Sequence, residues 1–185
     1  MRIIAGACRG RRLHSPKGDR IRPTIDRVRE AIFNIISVRV PDAKVLDLFA
    51  GTGAMGLEAL SRGAQFCLFV DKSAEAVHLI RENVQMCAAQ DRSRIIHGPA
   101  DSAVRRLNSE NELFDLIFMD PPYGKGYIEE TLQIVAAVAR EDALVIAEQH
   151  VRDKPPQVPA IWQMDRERRY GDTLILVYSR STAPQ

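Results

Sequence analysis

The hydrophobic positions of the chain change period along its length. Ile25, Val28, Ile32, Ile35 and Ile36 recur every three or four residues, which predicts an amphipathic helix opening at Pro23 with Thr24 as its N-cap. After "VPDA", short apolar runs take over: "KVLDLF", "QFCLFVD", "SRIIHG", "FDLIFMD" and "ALVIAEQ". These read as strands. Between them lie helical patterns, "AMGLEALSRG", "SAEAVHLIRENVQMCA", "ADSAVRRL" and "YIEETLQIVAAVA". Strands alternating with helices imply right-handed βαβ crossovers and a parallel sheet covered on both faces. "AIWQMDRERRY" and "DTLILVYSR" flank Gly171 and predict an antiparallel hairpin closing one edge. The first 22 residues are rich in Gly and Arg, and "MRII" is expected to pair with "GRRLHSP". Pro155, Pro156 and Pro159 mark a surface loop before the last hairpin.

In such sheets ligands gather outside the carboxyl ends of the strands. The tips to inspect are therefore Asp47–Gly53, Asp71–Ser73, Gly98–Asp101 and Asp120–Tyr127. In "VLDLFAGTGAMGLEAL", Gly51, Gly53 and Gly56 form G-x-G-x-x-G at a strand-to-helix turn, and Asp71 follows where a ribose-binding acid would sit. Taken alone, this permits a nicotinamide cofactor. Asp47 points elsewhere: a carboxylate inside the strand tip would repel a pyrophosphate, but suits the ammonium of an amino acid. S-adenosylmethionine has an adenosine end and an amino-acid end. On this reading Asp47 lies near its ammonium, Asp71 binds the ribose hydroxyls and Asp101 accepts from the adenine amine. Phe49, Thr52, Lys72 and Ala100 complete the lining, with Asp120 near the methyl group. The plainer alternative makes Asp47 and Asp101 helix caps.

"DPPYGKGY", from Asp120 to Tyr127, ends the fourth strand abruptly. An exocyclic amine on a base is a weak nucleophile, because its lone pair is delocalised into the ring. It improves when both N–H bonds find acceptors. Asp120 offers a carboxylate, and Pro121 a carbonyl that Pro122 holds in an extended conformation. Tyr123 offers a stacking face, worth about 1–3 kcal/mol per base. The base would have to leave its helix to reach the pocket. The plainer alternative is a rigid turn with Tyr123 packed on the core. Methylating a pyrimidine carbon would need a cysteine at this lip, whereas Cys8, Cys67 and Cys87 lie in the arm, a strand and a helix. The four histidines form no cluster with acids, and no metal site is expected.

Composition narrows the setting. The 185 residues suit one domain, and no apolar run approaches the ~20 residues of a membrane span. Three cysteines without C-x-x-C spacing fit a reduced cytoplasm. Residues 1–39 hold ten Lys/Arg against three acids, a net +7, while the remainder carries −5. A basic arm on a slightly acidic body suggests a polyanionic partner, with Arg9, Arg11, Arg12 and Arg22 on phosphates. Lys125, between Gly124 and Gly126, and Tyr127 would close a flexible lip on that partner.

Together "MRIIAGACRGRRLHSP", "RPTIDRVREAIFNII", "VLDLFAGTGAMGLEALSRGA", "DPPY" and "YGDT" resemble, in order, the RsmD-type 16S ribosomal RNA methyltransferases, which methylate N2 of a guanine. The resemblance spans nearly the whole chain. It implies an α/β class I S-adenosylmethionine-dependent, Rossmann-like fold with a seven-stranded, mostly parallel sheet of order 3-2-1-4-5-7-6. A small basic hairpin-and-helix extension, residues 1–39, would pack on a catalytic domain of residues 40–185. The implied substrate is 16S rRNA in a small-subunit assembly intermediate, methylated at the position-966 type of guanine by a cytoplasmic monomer. The glycine loop and Asp71 carry over as cofactor contacts, Asp120, Pro121, Pro122 and Tyr123 as the active-site motif, and Arg22, Pro23 and Thr24 as a loop near its mouth. Competing readings are a DNA adenine or cytosine amino-methyltransferase, a nicotinamide-dependent oxidoreductase and a non-catalytic RNA-binding assembly factor.

Overall fold

In the computed structural model, which describes residues 1–16, 23–122 and 126–181, the apolar runs become β1 (Lys44–Leu48), β2 (Phe66–Asp71), β3 (Ser93–His97), β4 (Phe114–Met119) and β5 (Ala139–His150). The last hairpin is β6 (Trp162–Tyr170) and β7 (Thr173–Arg180). One sheet has the order β3-β2-β1-β4-β5-β7-β6. β1 to β5 are parallel, while β7 pairs antiparallel with both β5 and β6. The expected hairpin thus closes one edge with its second strand inserted next to β5.

The helices are α1 (Pro23–Ile35), α2 (Ala54–Ser61), α3 (Ala74–Met86), α4 (Ala100–Ser109) and α5 (Tyr127–Val135). α1 starts at Pro23, so Thr24 is a helical residue and not the expected N-cap. Proline suits that first position, where its missing N–H would have had no intrahelical partner. Two cores lie on opposite faces of the sheet. One packs Val28, Ile32, Phe33, Leu57, Ile80 and Val84 from α1, α2 and α3. The other packs Val104, Leu107, Ile128 and Leu132 from α4 and α5, with Trp162 and Tyr178.

The first residues form a hairpin closed by one bridge, Arg2 to Arg12, with Ile3, Cys8 and Leu13 buried in the core on the α1–α3 side. Its backbone is clamped by buried polar side chains. Glu58 of α2 accepts from the N–H groups of Ile4 at 2.8 Å and Ala5 at 3.0 Å. Ser61 accepts from Cys8 N–H at 2.9 Å and donates to the Ala5 carbonyl at 2.5 Å. Gly6 passes so close to α2 that a Cβ there would lie 1.7 Å from the Ser61 carbonyl oxygen. Asn83 of α3, fully buried, accepts from His14 N–H at 2.7 Å and donates to the His14 carbonyl at 3.0 Å. The arm is therefore docked through its main chain, which leaves Arg2, Arg9, Arg11 and Arg12 exposed.

Candidate active site

The parallel strands all end on one side of the sheet, and the chemistry of the chain collects there. β1 runs into a loop whose backbone is unusual. Phe49 has φ 60°, a conformation that costs a bulky residue about 1–3 kcal/mol, and Gly51 and Gly53 have φ 56° and 76°. Gly56 serves a different purpose: a Cβ there would lie 2.3 Å from the Phe69 ring and 2.4 Å from Cys67 Sγ. Only glycine lets α2 press this closely onto β2. The loop is tied down on both sides. Gly51 N–H donates to Asp71 at 2.8 Å, and the Thr52 carbonyl accepts from Asn83 at 2.9 Å. Asn83 thus joins the arm to the glycine loop.

The two acids at this loop differ. Asp71 accepts from Gly51 N–H through one oxygen and from Ser73 N–H, at 2.8 Å, through the other. Asp47 is buried and accepts from Gly56 N–H at 2.9 Å. Burial pushes its carboxyl up to about 7; the Gly56 hydrogen bond opposes this and the Asp71 charge adds to it. The helix-cap alternative is therefore partly realised, with Gly56 rather than Ala54 as donor. A buried carboxylate that lacks a cation among the described residues suits a group that brings one.

Beside the loop lies a cleft of about 340 Å³, lined by Phe49, Val70, Asp71, Lys72, Gly98, Ala100, Asp120, Pro121 and Pro122. It brings together seven of the expected site residues from four different strand tips. Asp101 is not among them. It is exposed at the start of α4, where the Ser102 N–H and then Arg105, with which it forms an ion pair, hold its carboxyl below the usual range. Thr52 turns the other way, its hydroxyl 3.7 Å from Met1 Sδ. Tyr123, Lys125 and Arg22 lie outside the described residues.

Asp120 keeps solvent contact through the cleft, yet protein surrounds it elsewhere. That desolvation pushes its carboxyl well above the usual range, and the neighbouring charges of Glu148 and Asp47 push the same way. Pro121 and Pro122 also line a second cleft of about 560 Å³, between α5, the end of β5 and residues 152–157. The two prolines thus form a wall common to both. Tyr127 sits in the second cleft with its ring 6.3 Å from that of Phe49. Sequence reasoning passed over Glu148 on this side, and Asn83 and Glu58 beneath the loop. Glu148 follows the apolar run of β5, a signal of the same kind that marked the other tips.

A family model described as conserved hypothetical protein 95 matches residues 1–179. The Escherichia coli (strain K12) protein named ribosomal RNA small subunit methyltransferase D is 35% identical over 97% of this chain and 90% of its own length. The chain belongs to this family. The RsmD-type resemblance in the sequence is thereby shown. Solved structures agree with the fold. The Escherichia coli yhhF structure is 34% identical, covers 99% of each chain and superposes with a TM-score of 0.86. The Thermus thermophilus TTHA0928 structure is 29% identical, covers 97% of this chain and 99% of its own, and gives a TM-score of 0.81. The sheet order expected of a class I methyltransferase is the one observed.

Proposed function

We propose that this member of the RsmD family transfers a methyl group from S-adenosylmethionine to the N2 amine of a guanine in 16S rRNA, of the position-966 type. The observation that carries the reading is the wall shared by two clefts, with Asp120 at its edge. One cleft has Asp71, Asp120 and the Phe49 ring and lies beside the glycine turn, an arrangement suited to an adenosyl amino acid. The other opens beside the same prolines, where a base would enter. The oxidoreductase reading leaves Asp120 and its prolines without a task, and the 35% identity to a ribosomal RNA methyltransferase favours RNA over DNA.

S-adenosylmethionine, when bound, supplies a methyl group activated by its sulfonium. Asp47 fits the ammonium end and Asp71 the ribose. Asp120 and the Pro121 carbonyl accept the two N2 hydrogens, drawing the amine lone pair out of the ring. The reaction forms one N–CH3 bond as one S–CH3 bond breaks, and the amine then gives up a proton. Burial makes the Asp120 carboxylate more basic than usual, and it is placed to take that proton. Holding the amine in line at near-attack distance contributes to the rate as well. The basic arm binds the phosphates of a small-subunit assembly intermediate. The setting is the cytoplasm, and the working form is a monomer.

Mass spectrometry of ribosomal RNA from cells lacking the gene tests the substrate: N2-methylguanosine should disappear from one site of 16S rRNA. In vitro, Asp120→Ala should lower turnover on small-subunit particles at least ~1,000-fold, with cofactor affinity by calorimetry within a few-fold. Normal turnover in that variant would remove Asp120 from the chemistry. Transfer to duplex DNA and not to the particles would overturn the RNA reading.

A further inference from the structure

The tip of β5 carries a carboxylate that the acceptor pair, Asp120 and the Pro121 carbonyl, does not use. β4 and β5 are paired in parallel up to Met119 and Ala147, so the next residues, Asp120 and Glu148, stand side by side where β4 leaves the sheet and β5 runs on against β7. Neighbouring strands are about 4.8 Å apart. Asp120 lines the cofactor-side cleft and Glu148 the second one, and the proline wall separates them. The Glu148 charge is close enough to rank second, after burial, among the causes that raise the Asp120 carboxyl.

The second cleft is held in shape by its own bonds. Buried Gln149 donates to the Lys154 carbonyl at 2.7 Å, Val151 N–H to the Asp172 carbonyl at 2.9 Å, and Asp153 N–H to the His150 carbonyl at 3.0 Å. Gln157 N–H reaches Glu129 of α5 at 3.3 Å and closes the outer wall. Its volume of about 560 Å³ falls in the range of sites that take a drug-sized ligand, and Arg152 and Lys154 give it cations for a phosphate.

A flipped base is read along its Watson–Crick edge. When the N2 hydrogens of guanine go to Asp120 and the Pro121 carbonyl, the next group along that edge is N1–H, a donor. It needs an acceptor about one strand away from Asp120. Adenine and cytosine present a lone pair at the ring nitrogen beside their amine, which a carboxylate repels. A site built to accept a hydrogen rejects an analogue lacking it far more strongly than an apolar pocket rejects a methylene.

We propose that Glu148 accepts the N1–H of the target guanine and thereby selects guanine among the bases carrying an exocyclic amine. The inference rests on the guanine-N2 reading of the same site. The test compares guanine with 2-aminopurine, which keeps the 2-amine and lacks N1–H. Each is ligated into 16S rRNA at the position modified by the wild type, and the rRNA is assembled into small-subunit particles. The wild type should favour guanine at least 100-fold in kcat/KM. Glu148→Gln, whose amide can donate to a ring nitrogen, should shift that ratio towards 2-aminopurine at least tenfold, with S-adenosylmethionine affinity by calorimetry within twofold of wild type. An unchanged ratio in Glu148→Gln overturns the role of Glu148 while leaving methyl transfer to guanine standing. Equal wild-type rates on the two bases overturn it without any variant. A wild type that methylates no guanine overturns the guanine-N2 reading and this inference together.

Discussion

Glu58 and Asp47 lie on consecutive elements, α2 and β1, and both are buried, but their surroundings differ in kind. Glu58 is ringed by donors: the N–H groups of Ile4 and Ala5, Arg62 at 2.7 Å and Arg29 at 3.6 Å. Asp47 accepts from Gly56 and faces the like charges of Asp71 and Asp120. The first carboxylate has its donors in the free protein and docks the arm. The second is complete only when something cationic arrives. A buried acid that is saturated with donors holds a fold together; one left short of them, at a strand tip beside a cleft, marks a binding site.

The comparison predicts effects of opposite sign. Glu58→Ala strands two backbone donors and leaves Arg29, only 2% exposed, with Asp26 at 2.9 Å as its one remaining carboxylate among the described residues. Breaking a buried ion pair from one side costs about 3–5 kcal/mol. Urea denaturation should show a loss of that size, and the melting temperature should fall by about 10 °C. A loss below about 1 kcal/mol would mean that Ile3, Cys8 and Leu13 hold the arm by packing, and the contrast with Asp47 would collapse.

Asp47→Asn should do the reverse. The folded chain raises the Asp47 carboxyl from 3.8 to about 7, so folding favours its protonated form. The stability this provides is present below about pH 4 and is lost as the pH rises towards 7. At pH 8 the ionised group therefore costs stability. Asparagine removes the charge and keeps an acceptor for Gly56 N–H, so the free protein should gain on the order of 1–2 kcal/mol at pH 8, shrinking as the pH nears 4. Cofactor affinity should fall at least tenfold by calorimetry, because the cation loses its partner. Urea midpoints at pH 8 and pH 5 measure the first effect, and destabilisation at pH 8 would show Asp47 to be structural like Glu58.

The same contrast explains what could be read from the sequence. The sheet and its helices were legible because each apolar run has its own length and period. The lip was legible because two prolines after an acid interrupt a strand. Asp47 and Asp71 were legible because strand tips beside a glycine turn have few uses. Glu58 and Asn83 were not, since the arm groups they hold, on Ile4, Ala5 and His14, are backbone atoms 53 to 69 residues away, which leave no local pattern. Asp101 was assigned to the adenine because of its tip position, yet its partner Arg105 stands four residues on, the spacing of a helical ion pair. Glu148 was passed over although its strand ends at the same side of the sheet.

The smallest structural effect is expected at the arm's outer face. Arg9, Arg11 and Arg12 are exposed, while the bonds that dock the arm run through its backbone and through Leu13, Ile3 and Cys8 inside. Replacing all three with glutamine should leave the melting temperature within about 1 °C, since isolated surface changes stay within ±0.5 kcal/mol. Binding to small-subunit particles should weaken, and the slope of log affinity against log salt should flatten by about 2–3, near one unit per lost phosphate contact. A changed melting temperature with an unchanged slope would assign these arginines to the fold with Glu58. It would also move the RNA contacts to the cleft side, where Arg152 and Lys154 are the next cations a phosphate would meet.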